Sequence, residues 1–138
     1  MKTKKVNRYS CDFCDKHKYS ASHMKRHEEI CTKNPNRKCR CCRFVDAVTV
    51  NIKDLIAVLP NPNDYKDEYG NFSDDLTKKA NEGLVVLRIG TNNCPACIMA
   101  AIRQAGIPVP MVTDFHYKEE LESVTSEYWN QQVSRENY

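Results

Sequence analysis

The sequence has no long hydrophobic run, which argues against a membrane-spanning helix. No apolar stretch approaches the roughly 20 residues that a helix needs to cross a bilayer. The first ten residues, MKTKKVNRYS, are basic and are not followed by an apolar segment, so we expect no secretory signal. We therefore expect an intracellular protein of the cytoplasm or nucleus, in which cysteines stay reduced.

Motifs of common enzymes are also missing. The chain contains no G-x-x-x-x-G-K-[ST] phosphate loop, no H-E-x-x-H helix and no G-x-S-x-G nucleophile elbow. A nuclease built on a cysteine knuckle would need a histidine beside its metal ligands, and none accompanies Asn92 and Asn93. We expect a protein that is not an enzyme.

Cysteine, in contrast, is frequent for a chain of this length. The 138 residues include eight cysteines, in the groups 11/14/31, 39/41/42 and 94/97. A chain of this length can form one ordinary core or two small modules held by metal. Closely spaced C-x2-C pairs without a secretory signal favour zinc over disulfides.

The first group has the spacing of a zinc finger. Twelve residues separate the Cys11–Cys14 pair from His27, and three more precede Cys31. His27 and Cys31 are four apart, so they project from one face of a helix. His23 is a competing ligand that would leave Cys31 free, but only eight residues separate it from Cys14.

This stretch resembles the classical zinc-finger family in its C2HC variant, over about a sixth of the chain. The resemblance implies a ββα fold in which Cys11, Cys14, His27 and Cys31 bind Zn2+. Ser20 or Ser22 would cap the helix and Met24 would occupy the family's core leucine position. The family's core aromatic would fall at Lys18, whereas the nearby aromatic of this chain is Tyr19.

The resemblance also implies residues that face nucleic acid. Base contacts would come from Ser20, His23 and Arg26, with Ser22 as the auxiliary position. Lys16, Lys18 and Lys25 are candidates for phosphate contacts. One finger covers about 3 base pairs, and single fingers also bind proteins.

Charge is divided unevenly along the chain. Residues 1–43 carry 13 Lys/Arg against 4 Asp/Glu, and residues 44–138 carry 8 against 14. Residues 1–8 are predicted to form a flexible basic arm. A basic head on an acidic body indicates a DNA or RNA partner for the head, and a protein partner or second copy for the body.

The remaining cysteines predict a second zinc site. Cys39–Cys42 and Cys94–Cys97 are two C-x2-C pairs that can close a four-thiolate tetrahedron, with Cys41 as the alternative ligand. The 51 residues between the pairs would form an inserted subdomain. A cysteine pair that opens a helix opposite an earlier knuckle resembles a treble-clef or zinc-ribbon module.

The same residues allow a redox interpretation. A strand, Cys-Pro-Ala-Cys and a helix resemble the start of a thioredoxin-like enzyme, with Cys94 as nucleophile and Cys97 as resolving thiol. Only 41 residues follow Cys97, too few for the remaining strands of that fold. We keep a thiol-disulfide oxidoreductase as an alternative.

Periodicity predicts the remaining elements. The run 84–90 is predicted as a buried strand, and 48–52 as a strand unless 55–59 extends a short helix. Ser73 is predicted to cap a helix that Gly83 ends, and Pro95 to begin a helix that Gly106 ends.

Residues 60–74 are predicted as a polar loop and 107–112 as an extended connection. After an Asp114 cap we predict an amphipathic helix with an apolar stripe of Tyr117, Leu121, Val124 and Tyr128, beside Trp129.

The sequence thus predicts a small, zinc-stabilised α+β protein with two Zn2+ per chain. Its parts are a basic arm (1–8), a C2HC finger (9–32), a linker (33–38) and a four-cysteine domain with inserted strands and helices (39–138). We expect a small regulator that contacts nucleic acid and a protein; a viral accessory protein would fit. The alternatives are a protein–protein adaptor with purely structural zincs, and the oxidoreductase. We expect no membrane partner and no small-molecule substrate.

Overall fold

The computed structural model describes residues 1–39, 41, 42 and 51–136, with side chains described as far as residue 127. The first elements are two short antiparallel strands, β1 (Tyr9–Ser10) and β2 (His17–Lys18), and a helix, α1 (Ala21–Ile30). Tyr9 pairs with Lys18, and Ser10 with His17. The described part of the chain is therefore α+β, with its two-stranded sheet at the start.

The later described elements are helical. They are α2 (Ile52–Ile56), a 3-10 turn (Pro62–Tyr65), α3 (Asp74–Thr91), α4 (Pro95–Gln104), a second 3-10 turn (Val109–Met111) and α5 (Tyr117–Glu136). None of the helices in residues 1–39, 41–42 and 51–136 combines the length and apolar composition needed to cross a bilayer.

Helix α4 lies at the centre of the larger core. It contacts α2, α3 and α5, and its residues from Cys97 to Ile102 are all buried. A helix that is apolar on all sides is one that neighbours surround. Pro95 begins α4 and Gly106, at φ +80°, follows its end, so both predicted boundaries of this helix are confirmed.

The predicted strand over 84–90 is wrong, because these residues belong to α3. The buried side chains of α3 recur every three or four residues, at Leu76, Ala80, Leu84, Leu87 and Thr91. This is the period of a helix face, and it overrides the strand preference of the β-branched residues in the run. Val85, Val86 and Ile89 consequently face solvent.

Gly83 does not end α3, contrary to the prediction, although Ser73 does precede the helix as its N-cap. A Cβ at Gly83 would lie 2.8 Å from the carbonyl oxygen of Val58 and 3.1 Å from Leu59 Cδ2. Glycine is needed here for a close approach of two backbones. The helix instead ends at Asn92 (φ 52°), which Asn93 (φ 61°) follows, and asparagine tolerates this left-handed conformation.

Other expectations for the insert are met in part. The helix Ile52–Ile56 overlaps the helical alternative, 55–59, at its last two residues, and Ile52 is helical where a strand was predicted. Residues 43–50, which include most of that predicted strand, lie outside the described part of the chain. The predicted loop 60–74 contains the 3-10 turn Pro62–Tyr65 and an isolated bridge between Lys66 and Phe72. The predicted extended connection 107–112 also contains a 3-10 turn.

Helix α5 packs on the core through the predicted stripe. Tyr117, Leu121 and Val124 lie against the buried residues of the larger core. The helix begins at Tyr117, three residues after the predicted cap at Asp114. The side chains of Tyr128 and Trp129 are outside the described residues.

Residues 32–38, within which the linker was predicted, contact both modules. The Asn34 side chain donates to the carbonyl oxygen of Glu28 at 2.7 Å, and the Lys38 amide donates to that of Glu29 at 2.7 Å. From α4, Gln104 Nε2 donates to the carbonyl oxygens of Thr32 (2.8 Å) and Asn34 (3.0 Å). These bonds attach the end of α1 to α4.

Substituting the two glycines of α3 separates clash from helix propensity. Gly83→Ala is expected to lower the free energy of unfolding by about 1–3 kcal/mol, because its Cβ meets a backbone oxygen that a rotamer change cannot move. Gly90→Ala is the matched control: its nearest neighbour, Leu55 Cδ2, is 3.7 Å away, so alanine should stabilise by about 0.5–1 kcal/mol. Chemical denaturation measures both, and equal effects would contradict the proposed backbone contact.

The ion pair between α3 and α5 predicts a pH dependence. Arg88 Nη1 donates to Glu120 Oε1, and both side chains are less than a third exposed. Burial opposes ionisation of Glu120, but the bonds from Arg88 and the His116 amide outweigh it and lower the pKa of Glu120 below its ordinary value of 4.5. A depressed folded-state pKa contributes stability above the unfolded value, which is lost as pH falls through the folded value.

Glu120→Gln should therefore destabilise the protein by about 1–2 kcal/mol at neutral pH, and the difference from the parent should shrink under acid. Glu82→Gln is the control, because Glu82 pairs with Lys79 at 3.5 Å with both side chains more than half exposed. Its effect should stay within about 0.5 kcal/mol. A pH-independent loss at Glu120 would contradict the assignment.

Candidate metal centres

The first cluster contains the four donors Cys11, Cys14, His27 and Cys31, whose donor atoms all lie within 4.8 Å of one another. Cys11 and Cys14 lie in the turn between β1 and β2, where the Cys11 amide donates to the carbonyl oxygen of Lys16 at 2.9 Å. His27 is in the last turn of α1 and Cys31 follows the helix. The hairpin supplies two ligands, α1 supplies one, and the residue that follows α1 supplies the fourth.

The competing ligand His23 is not part of this cluster. His23 is exposed on α1, whereas His27 Nε2 lies 3.2 Å from Cys14 Sγ. Met24 and His27 are three residues apart and share the inner face of α1. Cys31 does not lie on that helix face, contrary to the prediction, because α1 ends at Ile30 and Cys31 joins the cluster from the residue that follows the helix.

Burial and neighbouring groups shift the pKa values of these donors in different directions. Burial, followed by the charges of Lys16 and Lys18, lowers the pKa of His27, which favours the neutral imidazole that binds metals. Burial opposes ionisation of Cys14, yet hydrogen bonds from the backbone at Lys16 and from neighbouring thiols lower its pKa. Burial raises the pKa of Cys31 to about 11.

The small core beneath the finger differs from the expected one at its aromatic. Met24 is 4% exposed, in the predicted core position. Tyr19 is 64% exposed, and the aromatic that packs against Met24 and the buried cysteines is Tyr9. Tyr9 lies in β1, two residues before Cys11, whereas Lys18 lies in β2. The spacing around Lys18 did not indicate Tyr9, because the two residues are on different strands.

The second cluster contains Cys39, Cys42, Cys94 and Cys97, all buried and with sulfurs within 4.8 Å of one another. Cys94 is the N-cap of α4 and Cys97 lies in its first turn. The Cys39–Cys94, Cys42–Cys94 and Cys42–Cys97 sulfur pairs are each 3.5 Å apart. A disulfide requires about 2.05 Å, and none of the eight cysteines forms one.

These distances fit a tetrahedral metal. Sulfurs about 2.3 Å from a central zinc lie about 3.8 Å from each other along the edges of the tetrahedron. The observed 3.5 Å contacts are close to that edge. One backbone amide orients a sulfur in each cluster. In the second cluster the Cys42 amide donates to Cys39 Sγ at 3.3 Å, and in the first cluster the Phe13 amide donates to Cys11 Sγ at 3.4 Å.

The four sulfurs shift one another's pKa values in opposite directions. Hydrogen bonds from Cys94 and Cys97 lower the pKa of Cys39, so that one thiolate is stabilised by its neighbours. The pKa of Cys97 is raised because it donates to Cys39 and Cys94 and is buried, and burial and the Cys94 charge raise that of Cys42. All four can ionise together only when a metal ion lies among them.

Cys41, the predicted alternative ligand, is buried beside the cluster but is not one of the four. Burial, then the charge of Cys94 and a hydrogen bond to it, raises the pKa of Cys41 to about 12, and Arg37 opposes the rise. Cys41 packs in the larger core with the four cysteines of the cluster.

The predicted nucleic-acid residues do not form one compact group. His23, Lys25 and Arg26 are exposed on α1, and Ser22 is exposed with its hydroxyl 3.0 Å from that of the half-buried Ser20. Ser22 and Lys25 line a shallow groove with Arg8, and Lys16 lies on another side, in the cleft between finger and body. Lys18 is half-buried in β2.

Comparison with known proteins gives no relative from which to transfer a role. No family model, curated protein or solved structure matches this chain. The two Cys/His clusters, each able to hold a metal ion, are its chemical sites as far as the described residues show.

Metal analysis of single-cysteine variants tests the ligand sets. The purified parent should contain two metal ions per chain. Cys97→Ser should reduce the content to about one, because a hydroxyl is a poor substitute for a thiolate ligand. Cys41→Ser is the matched control from the same core and should retain both ions; loss of an ion from Cys41→Ser would mean that the ligand set is wrong.

Proposed function

We propose that both clusters are structural zinc centres. Three cysteines with one histidine, or four cysteines, are ligand sets typical of structural zinc, whereas catalytic zinc keeps a position open for water. Burial of the second cluster supports this, because all four of its cysteines are inaccessible to solvent or nearly so. Zinc would then stabilise the fold and take no part in a reaction.

We propose further that residues 9–31 form a finger of the C2HC type, and that its basic surface contacts nucleic acid. Two short strands, a helix and the ligand order Cys-Cys-His-Cys support this proposal. The observation that carries the proposal is the exposure of His23, Lys25 and Arg26 on α1, while Met24 and His27 face inward. Exposed cations favour phosphate, and an arginine such as Arg26 can also form two hydrogen bonds to guanine.

The cleft between the N-terminal module and the helical body carries a second, separate group of cations. Among the described residues its lining includes Lys16, Lys33 and Arg103 and contains no carboxylate, while Cys14 and Cys31 of the first cluster also line it. The three cations favour a polyanion as the partner of this side of the molecule.

A protein–protein adaptor is the second candidate, because α3 exposes an apolar strip. Val85, Val86 and Ile89 are 60%, 50% and 77% exposed and share one side of the helix. Apolar side chains grouped on an otherwise polar surface are common in contacts between proteins. In the combined proposal, a small regulator contacts nucleic acid with its head and a protein with its acidic body.

We propose that the chain is not a thiol-disulfide oxidoreductase. A redox nucleophile needs a lowered pKa and access to its substrate. Cys94 and Cys97 are 7% and 1% exposed, and the pKa of Cys97 is raised. A thioredoxin-like enzyme would also need a strand over residues 84–90, and these residues belong to helix α3.

Salt-dependent binding tests the proposal for nucleic acid. The parent should bind an arbitrary DNA duplex at low salt, and log K should fall linearly with log salt concentration. Arg26→Ala should weaken binding and reduce the slope by about 0.9 if Arg26 contacts one phosphate. Fluorescence anisotropy measures both quantities, and the same titration with single-stranded RNA compares the two polyanions.

Lys79→Ala is the matched control, because Lys79 is an exposed cation of the acidic body whose partner is Glu82. It should leave the affinity unchanged. An equal loss from both variants would show only a general charge effect, and no binding of the parent at low salt would favour the adaptor.

A further inference from the structure

Arg37 is buried where the segment from the finger meets the body. Its side chain is 9% exposed, and its Nε is inaccessible to solvent without a hydrogen-bond partner among the described residues. A guanidinium is always charged in a protein, and burying a charge without compensation is costly. A nearby anion would therefore stabilise the buried charge of Arg37.

No carboxylate of the described part of the chain lines the cavity beside Arg37. The cavity has a volume of about 290 Å³, and its other lining residues are Pro35, Asn36, Asn51, Ile52, Leu55 and Cys97. Of these side chains, the Cys97 thiol is the one that can become an anion. Arg37 Nη1 lies 3.9 Å from Cys97 Sγ, within the range of an N–H···S hydrogen bond.

The proposed zinc centre would supply that negative charge. Four thiolates around one divalent ion leave a net charge of −2, buried in a region of low dielectric. A fixed cation beside one thiolate offsets part of this charge. Groups that hydrogen-bond to metal ligands tune the affinity of the metal even though they do not touch it.

We propose that Arg37 is the counter-charge of the four-cysteine centre, positioning the Cys97 thiolate through an N–H···S bond and strengthening retention of the ion. The inference rests on the proposed second zinc centre. Arg37 is a positioning residue, since it acts on the metal through Cys97. Its effect should be confined to this centre, because the finger's ligands belong to a separate cluster.

The test measures zinc affinity separately at the two centres of the full chain. Competition with a chromophoric chelator gives the two dissociation constants, and Co2+ substitution assigns them, because four thiolates and three thiolates with an imidazole give different spectra. Arg37→Met, which keeps much of the side-chain length, should weaken binding at the four-cysteine centre by about 10- to 100-fold. The finger centre should keep its affinity.

Two further variants separate charge from packing. Arg37→Lys retains the cation without the planar fork, so it should recover part of the lost affinity. Arg103→Met is the control for general damage where the two modules meet. Arg103 Nη1 donates to Thr32 Oγ1 at 3.0 Å, so this arginine also joins the two modules but bonds to a hydroxyl and not to a cysteine of the cluster. It should leave both zinc affinities unchanged.

The outcomes distinguish this inference from the proposed function. The inference would be overturned if Arg37→Met bound zinc at the four-cysteine centre as tightly as the parent does. Equal weakening of zinc binding at both centres would also overturn it, as would an Arg37→Lys variant that binds zinc no more tightly than Arg37→Met. A parent protein that binds no ion at the four cysteines would overturn the zinc centre itself and the inference with it. Only the parent measurement bears on the proposed function.

Discussion

Eight donor side chains crowd into two clusters, and the chemistry of these clusters governs the rest of the fold. Each cluster brings four donors within 4.8 Å, and in the second cluster all four donors are sulfur. In the proposed zinc centres, ionised thiolates at such distances would stay together only around the cation, so metal binding and folding would be one equilibrium in such a module. The finger shows the dependence most clearly, since Met24 is the one buried side chain of its described core that is not a ligand. A core of that size cannot stabilise a fold alone.

The second cluster organises the helical body in a similar way. Cys94 and Cys97 open α4, the helix that α2, α3 and α5 surround. The residues between Cys42 and Cys94 are therefore an insertion whose two ends meet at the cluster, and α3 returns the chain to it through Asn92 and Asn93. Since closing a longer loop adds little to the entropic cost, a metal centre can hold an insertion of this length.

Local chemistry was readable from the sequence, and long-range packing was not. The ligand groups follow from spacings of three and four residues, and Pro95 and Gly106 mark the ends of α4 through their own backbone preferences. The run 84–90 was misread because its β-branched residues suggest a strand, whereas burial at Leu84 and Leu87 depends on what packs against α3. Gly83 has the same explanation: its role depends on the carbonyl of Val58, 25 residues earlier in the sequence. Arg37 was assigned to a linker because no local pattern reveals a contact with Cys97.

The segment from Cys31 to Cys39 explains how the two modules are joined. Its first residue belongs to one cluster and its last to the other. Between them, Asn34 bonds to α1 and accepts from α4, and Arg37 is buried beside Cys97. With both ends in candidate metal centres and the interior hydrogen-bonded, few backbone torsions remain free to turn the N-terminal module against the body. If both clusters hold zinc, as proposed, the orientation of the basic surface on α1 depends on the four-cysteine centre as well as on the ligands of the first cluster. Loss of metal from the body would then disturb that surface even while the first centre keeps its ion.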